Sequence, residues 1–170
     1  LMGDQHTGIT WEGISPEQYE ADRRYNPAGE YYDQFGNVHY YDNETDNYAQ
    51  HHLQLNYTRS FTDRLVWSTT LNYTRGDGYY ENYKAGKSFL KYMMQAPVID
   101  GTVYEEGDFI TKEALANDYF VLNSDLRYSS PLMKITAGLN LSRYDGDHIG
   151  SVLWNDVLGD SFDYESHEWY

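Results

Sequence analysis

The chain has no cysteine. Disulfide staples, thiolate zinc sites and cysteine nucleophiles are therefore excluded. Basic residues are few: 12 Lys and Arg stand against 27 Asp and Glu, a formal charge of −15. Phosphate contacts need clustered Lys and Arg, so this balance argues against nucleic acid as a partner. It also argues against a polybasic membrane-surface module. No apolar run approaches the roughly 20 residues of a membrane helix, and the first residues, "LMGDQHTG", carry no positively charged leader. A helical span is excluded. A β-barrel span is not, because each strand needs only about 9–11 alternating residues. Aliphatic side chains are scarce as well. The apolar fraction includes 19 Tyr and 4 Trp, so a conventional core for 170 residues would be thinly filled.

What is present is a period of two. The phrase Leu-Asn-Tyr-Thr-Arg occurs at Leu55–Arg59 and again at Leu71–Arg75. Leu53, Leu55 and Tyr57 fall on one face and Gln54, Asn56 and Thr58 on the other. After a break at "SFTD" (Ser60–Asp63), Leu65, Trp67, Thr69, Leu71 and Tyr73 alternate with Val66, Ser68, Thr70, Asn72 and Thr74. This predicts a hairpin with long arms and a short turn. A second follows: Phe120, Leu122, Ser124, Leu126 and Tyr128 share a face, "SSPLM" turns the chain, and Ile135, Ala137, Leu139 and Leu141 share the next.

Between these runs the period vanishes. The sequence predicts an outer loop over 1–47, a hairpin over 48–75, a loop over 76–117, a hairpin over 118–145 and a loop over 146–170. Connections near forty residues are rare in compact soluble domains. Within them, Tyr31–Tyr32 and Val38–Tyr41 predict a small hairpin around Gly36–Asn37. "NYKAGKSFLKYMM" (Asn82–Met94) and "TKEALAND" (Thr111–Asp118) read as short helical turns. Ten acidic residues fall in 1–47, eight in 76–118 and seven in 145–170, leaving only Asp63 and Asp125 elsewhere. Arg59, Arg64, Arg127 and Lys134 lie beside the two short turns. One end of the object is expected to be acidic and the other basic.

Alternation alone also describes a half-buried soluble strand. Three features favour a membrane barrel. The polar face is built of Asn, Ser and Thr rather than Lys and Glu. Tyr57, Trp67, Tyr73, Tyr128 and Tyr144 sit toward arm ends, where aromatic girdles meet headgroups. Short turns alternate with long loops. Four strands cannot close a barrel, so the expected fold is all-β: antiparallel hairpins forming a slice of a transmembrane β-barrel, with long irregular extracellular loops.

The stretches "TGITWEGIS" (Thr7–Ser15), "RRYNPAGEYYDQFGNVHYYDNETDNY" (Arg23–Tyr48), "KEALANDYF" (Lys112–Phe120) and "SRYDGDHIGSVLW" (Ser142–Trp154) resemble part of a TonB-dependent outer-membrane receptor of the Bacteroidetes type. They span nearly the whole chain at loop-to-strand junctions, and none is a short diagnostic motif. The resemblance implies a 22-stranded barrel around an N-terminal plug, in the outer membrane of a Gram-negative bacterium. It implies import of a scarce nutrient (an iron–siderophore complex, haem, cobalamin or a glycan) by binding in the outer loops. The partners implied are outer-membrane lipid and the TonB complex, reached through a plug domain not contained in this sequence. It implies a transporter, not an enzyme.

Candidate ligand residues are Tyr79, Tyr80 and Tyr83 after Gly78, and Trp154. Their rings suit stacking on a sugar or planar cofactor; the structural alternative is that abundant Tyr knits large loops together. The acidic runs Asp42–Asp46 and Asp145–Asp147 lack EF-hand spacing and also read as solvated strand ends. His51 and His52 are adjacent, so on a strand they face opposite ways and cannot share a metal. No cofactor is expected, and no stretch sets a catalytic constellation at a recognisable spacing. The competing reading is a soluble or surface-attached β-rich glycan-binding module.

Overall fold

The computed structural model describes residues 2–159 and Phe162. The elements are β1 (Met2–Gly8), α1 (Pro16–Ala21), β2 (Glu30–Tyr32), β3 (Val38–Tyr40), β4 (Thr45–Thr62), β5 (Leu65–Ser88), a 3-10 turn (Phe89–Tyr92), β6 (Val98–Ile99), β7 (Thr102–Val103), β8 (Glu106–Ser129) and β9 (Lys134–Asn155). The protein is all-β with antiparallel sheets. A five-stranded sheet has the order β1-β4-β5-β8-β9, and β2-β3 and β6-β7 are separate hairpins.

The chain divides into two compact units. The first holds 2–4, Ala49–Asp77 and Leu115–Asp147. Its turns are short and locally fixed. The Thr62 hydroxyl accepts from the Arg64 and Leu65 amides at 3.2 and 3.0 Å, and Ser130 N–H donates to the Met133 carbonyl at 2.8 Å. Partner numbers fall as β5 numbers rise: Trp67 meets Ser124 and Tyr73 meets Asp118. That is the antiparallel pattern.

The alternation read from sequence is observed here. Leu53, Leu55, Leu71, Tyr73, Phe120 and Leu141 line one apolar groove of about 470 Å³. Phe61, Trp67, Leu126, Ala137 and Leu139 line another on the same strand parities. The other face is polar and bonded to itself. Thr70 Oγ1 donates to Asn56 Oδ1 at 2.8 Å, Asn140 Nδ2 donates to Asn123 Oδ1, and Arg127 donates to Ser68 Oγ at 2.9 Å. Among the described residues, no hydrophobic side chain of this unit is buried; Leu53 is 70% exposed and Leu55 62%. The unit is one sheet with no core of its own.

The second unit holds Gln5–Tyr48, Gly78–Ala114, 148–159 and Phe162. Here lie the buried hydrophobic residues found among the described ones: Ile9, Ala28, Phe89, Tyr92, Met94, Phe109 and Val152. Phe109 is packed edge-on by Phe89 at 5.0 Å and tilted against Tyr92 at 4.6 Å. Val157, Leu158 and Phe162 close around this cluster.

This unit corrects several expectations. The loop expected over 76–117 is strand to Ser88 and again from Glu106, so the connection proper is 89–105. "TKEALAND" is strand, not a helical turn, and of Asn82–Met94 only Phe89–Tyr92 winds, as a 3-10 turn. Of the loop expected over 146–170, the part to Asn155 continues β9, while 160, 161 and 163–170 lie outside the described residues; the hairpin expected over 118–145 is correspondingly longer. The loop expected over 1–47 contains β1 and α1. The small β2-β3 hairpin is present, with Glu30 opposite Tyr40, Tyr31 opposite His39 and Tyr32 opposite Val38.

For β5 and β8 the physical reason is that Tyr79 to Tyr83 and Asp108 to Lys112 are partly or fully buried on both faces, so their side chains do not alternate between apolar and polar. Their cross-strand pairs are Tyr with carboxylate: Tyr80 with Glu113 and Tyr83 with Asp108. A chain short of Lys and Arg answers its carboxylates with phenol donors instead.

Candidate functional site

The β2-β3 hairpin builds an exposed, hydrogen-bonded cluster in the second unit. Its turn is held by one carboxylate. Asp33 accepts from the Phe35 and Asn37 amides at 2.8 and 2.9 Å and from Asn37 Nδ2 at 2.8 Å. The Asn37 bonds hold this carboxyl well below the usual range. Gly36 takes φ +82°, which a side chain would oppose.

Register then decides which rings meet. Glu30, Tyr32 and Tyr40 share one hairpin face, while Tyr31 and His39 share the other. Tyr31 stacks on Tyr83 at 4.7 Å and on His39 at 5.4 Å. The first face presents its tyrosines outward, gathered on one carboxylate. Glu30 Oε2 accepts from Tyr25 at 2.6 Å and from Tyr40 at 3.1 Å, and Oε1 accepts from Tyr32 at 2.7 Å. The Tyr25 bond, then that of Tyr32, pulls the Glu30 carboxyl down. The same bond pushes the Tyr25 phenol up to about 12. Carboxylate and phenols therefore keep one protonation state across neutral pH. Tyr32 and Tyr40 remain exposed, so two rings are fixed in place with accessible faces. Such a platform suits a sugar ring or another flat ligand.

The four residues singled out from sequence do not form one site. Tyr79, Tyr80 and Tyr83 lie on β5 and Trp154 on β9, all half-buried. Tyr79 carries Lys112 Nζ over its ring at 4.1 Å. Tyr80 donates to Glu113 and takes Trp11 edge-on at 5.6 Å. Tyr83 donates to Asp108, and burial raises its phenol. Alternation puts Tyr79 and Tyr83 on one strand face and Tyr80 on the other. The Glu30 cluster was missed by sequence reasoning. Its signal was available once the hairpin was registered around Gly36–Asn37, because that pairing alone brings Glu30 opposite Tyr40.

The first unit offers a different surface. The outward runs span nine residues on three strands, 53 to 61, 65 to 73 and 120 to 128, and 135 to 141 on β9. Charged residues end them: Arg75 pairs with Asp77 at 3.3 Å and with Asp118 at 3.8 Å, and Arg143 pairs with Asp145 at 3.0 Å. At the short-turn end Tyr57 and Phe61 pack on Trp67 at 5.5 and 6.5 Å.

Among the described residues, no group of three or more His, Asp and Glu is placed to hold a metal ion, and no helix is long and apolar enough to cross a membrane. No protein-family model, curated protein or solved structure matches the chain.

Proposed function

We propose that the chain is part of a TonB-dependent outer-membrane receptor that binds and imports a scarce nutrient. One observation carries the reading. The first unit is a single sheet whose apolar face is uncovered over nine-residue runs, bounded at one end by the Arg75 and Arg143 ion pairs beside Tyr73 and Phe120 and at the other by Tyr57, Phe61 and Trp67 with Arg59 beside them. Nine alternating residues match a tilted strand crossing a bilayer, and the uncovered face matches lipid contact. The self-bonded Asn, Ser and Thr face is then the lumen side, meeting water or a plug. In this reading the second unit belongs to the extracellular loops, and the Tyr25, Tyr32 and Tyr40 platform on Glu30 is where cargo would rest. An iron–siderophore complex, haem, cobalamin or a glycan is the class of cargo. Coupling to TonB would run through a plug domain that these residues do not include.

The test is a blot of fractionated native cells with antibody to this chain, with and without boiling. A large outer-membrane band whose migration shifts on heating supports the receptor. A band of about the chain's own 19.9 kDa in the soluble or secreted fraction contradicts it.

A second reading, a soluble or surface-attached glycan-binding module, is favoured by the same Glu30 platform. It requires direct glycan binding by the isolated chain and another layer over the apolar sheet face.

A further inference from the structure

We propose that Arg59, with the rings of Tyr57, Phe61 and Trp67, binds the phosphate of an anionic phospholipid headgroup at the short-turn end of the apolar sheet face. The proposal rests on the membrane reading above and names a lipid site within it.

Parity places Arg59 outward, in line with Leu53, Leu55 and Tyr57. A charge on an apolar face is costly unless it lies near the headgroup layer and reaches it. Arg59 stands two residues short of Phe61 and three short of Thr62, where β4 ends. Its guanidinium lies 5.1 Å from the Phe61 ring centre. Phe61 and Trp67 are near-parallel, at 16°, and Tyr57 meets Trp67 edge-on at 70°. A guanidinium held on an aromatic ring keeps its planar donors free for a bidentate oxyanion.

The charge context points the same way. Arg75, Arg127 and Arg143 each pair with an aspartate. Arg59 has no carboxylate partner among the described residues, although acids outnumber bases 27 to 12 in the chain. Arg64, in the adjoining turn, likewise has no ion pair among the described residues, and Arg59, Arg64, Arg127 and Lys134 stand against Asp63 and Asp125 at this end, so the local balance is positive. An unanswered cation beside an aromatic girdle is complementary to a headgroup phosphate. Free phosphate shares that chemistry; continuity with the apolar face favours the lipid, whose acyl chains would follow the groove lined by Phe61, Trp67, Leu126 and Leu139, where Ser124 and the Arg127-paired Asp125 also lie.

The test uses the full-length gene product, refolded into phosphatidylcholine vesicles with or without phosphatidylglycerol. Heat-shifted migration reports insertion, and the ratio of membrane-bound protein in the two lipids reports anionic preference. The expected result is a preference of about fivefold, the size of one basic group at an anionic surface, lost in Arg59→Gln. Insertion of that variant into neutral vesicles shows that it folds. Should it not insert there, Phe61→Leu, which keeps the charge and removes its platform, carries the comparison, and a reduced preference supports the site. An unchanged preference in the variant used overturns the lipid site and leaves the barrel standing. Loss of the wild-type preference in inorganic phosphate, but not in chloride of equal ionic strength, assigns the site to free phosphate and overturns it too. Absence of insertion in either lipid overturns the membrane reading and this site with it.

Discussion

Trp67 donates its indole N–H to the Ser124 hydroxyl at 2.8 Å, joining β5 to β8 on the apolar face of the sheet. Beside it, Thr69 Oγ1 donates to the Asn123 carbonyl at 3.0 Å. These polar atoms stand among leucine, alanine and aromatic side chains, and they close onto protein. Water would satisfy them without that arrangement; hydrocarbon would not. Ser124→Ala should therefore cost about 1 kcal/mol in a membrane-refolding titration and little in a denaturation carried out in water. An equal loss in both media would show that this face is already covered by protein.

Charge should act by face. Leu71→Arg and Leu55→Arg put a cation on the outward face and should cost about 2–4 kcal/mol in bilayer refolding. Asn72→Arg and Asn56→Arg put it on the polar face and should cost much less. Refolding midpoints of the four variants decide the matter, and equal damage on both faces would contradict the assignment.

The Glu30 cluster has a pH window. Its carboxyl is held below its ordinary value, so its contribution is full above the ordinary carboxylate range and is lost as pH falls through the depressed value. The Tyr25 phenol is raised from 10 to about 12, so its contribution is full below 10 and is lost as pH rises through about 12. The platform should be intact between those limits. Glu30→Gln removes the charge that holds the phenol protons of Tyr25 and Tyr32, and a phenolate absorbance titration should show both tyrosines returning toward 10.

Glu44 should behave with the opposite sign. It is buried, accepting from Asn82 Nδ2 at 2.7 Å and from Tyr83 N–H at 2.8 Å. Burial raises its carboxyl despite those bonds. Between the unfolded and the raised value the folded state binds the extra proton, so its contribution falls as pH rises through that interval. Glu44→Ala leaves the buried Asn82 amide and the half-buried Tyr83 N–H unanswered and should cost about 1–3 kcal/mol. Faster hydrogen exchange at the Tyr83 amide is the readout. Unchanged exchange would mean that water replaces the carboxylate there.

Gly29 packs against the same carboxylate. It has φ +72°, and a Cβ there would lie 3.2 Å from Glu44. Gly29→Ala should destabilise the hairpin by about 1–2 kcal/mol from backbone strain alone. Thermal unfolding followed by tyrosine signals tests this, and no change would show that the backbone can relax.

How much was legible follows from where one face is open. Leu53 to Phe61 and Leu65 to Tyr73 alternate because one side of that sheet is apolar and the other polar, and the face assignment could be read residue by residue. The Gly36–Asn37 turn was legible from its chemistry. β5 beyond Gly76 and β8 before Tyr119 were not, because Tyr79 to Tyr83 and Asp108 to Lys112 are covered on both sides and show no period. α1 was not read from the sequence, which predicts a loop there, although Ser15 and Gln18 form its capping box in the structure. The Glu30 cluster required register as well as turn chemistry, since Tyr25, Tyr32 and Tyr40 converge only once β2 and β3 are paired.

The most direct test of the central claim uses the absence of cysteine. Single cysteines placed at each position from Leu65 to Tyr73, in the protein assembled in native envelopes, would be labelled with a fluorophore. Each would then be exposed to a lipid-confined and to an aqueous quencher. The account predicts a period of two: positions 65, 67, 69, 71 and 73 quenched from the lipid, and 66, 68, 70 and 72 from water. Aqueous quenching at every position, or protection of the odd positions from both quenchers, would contradict it.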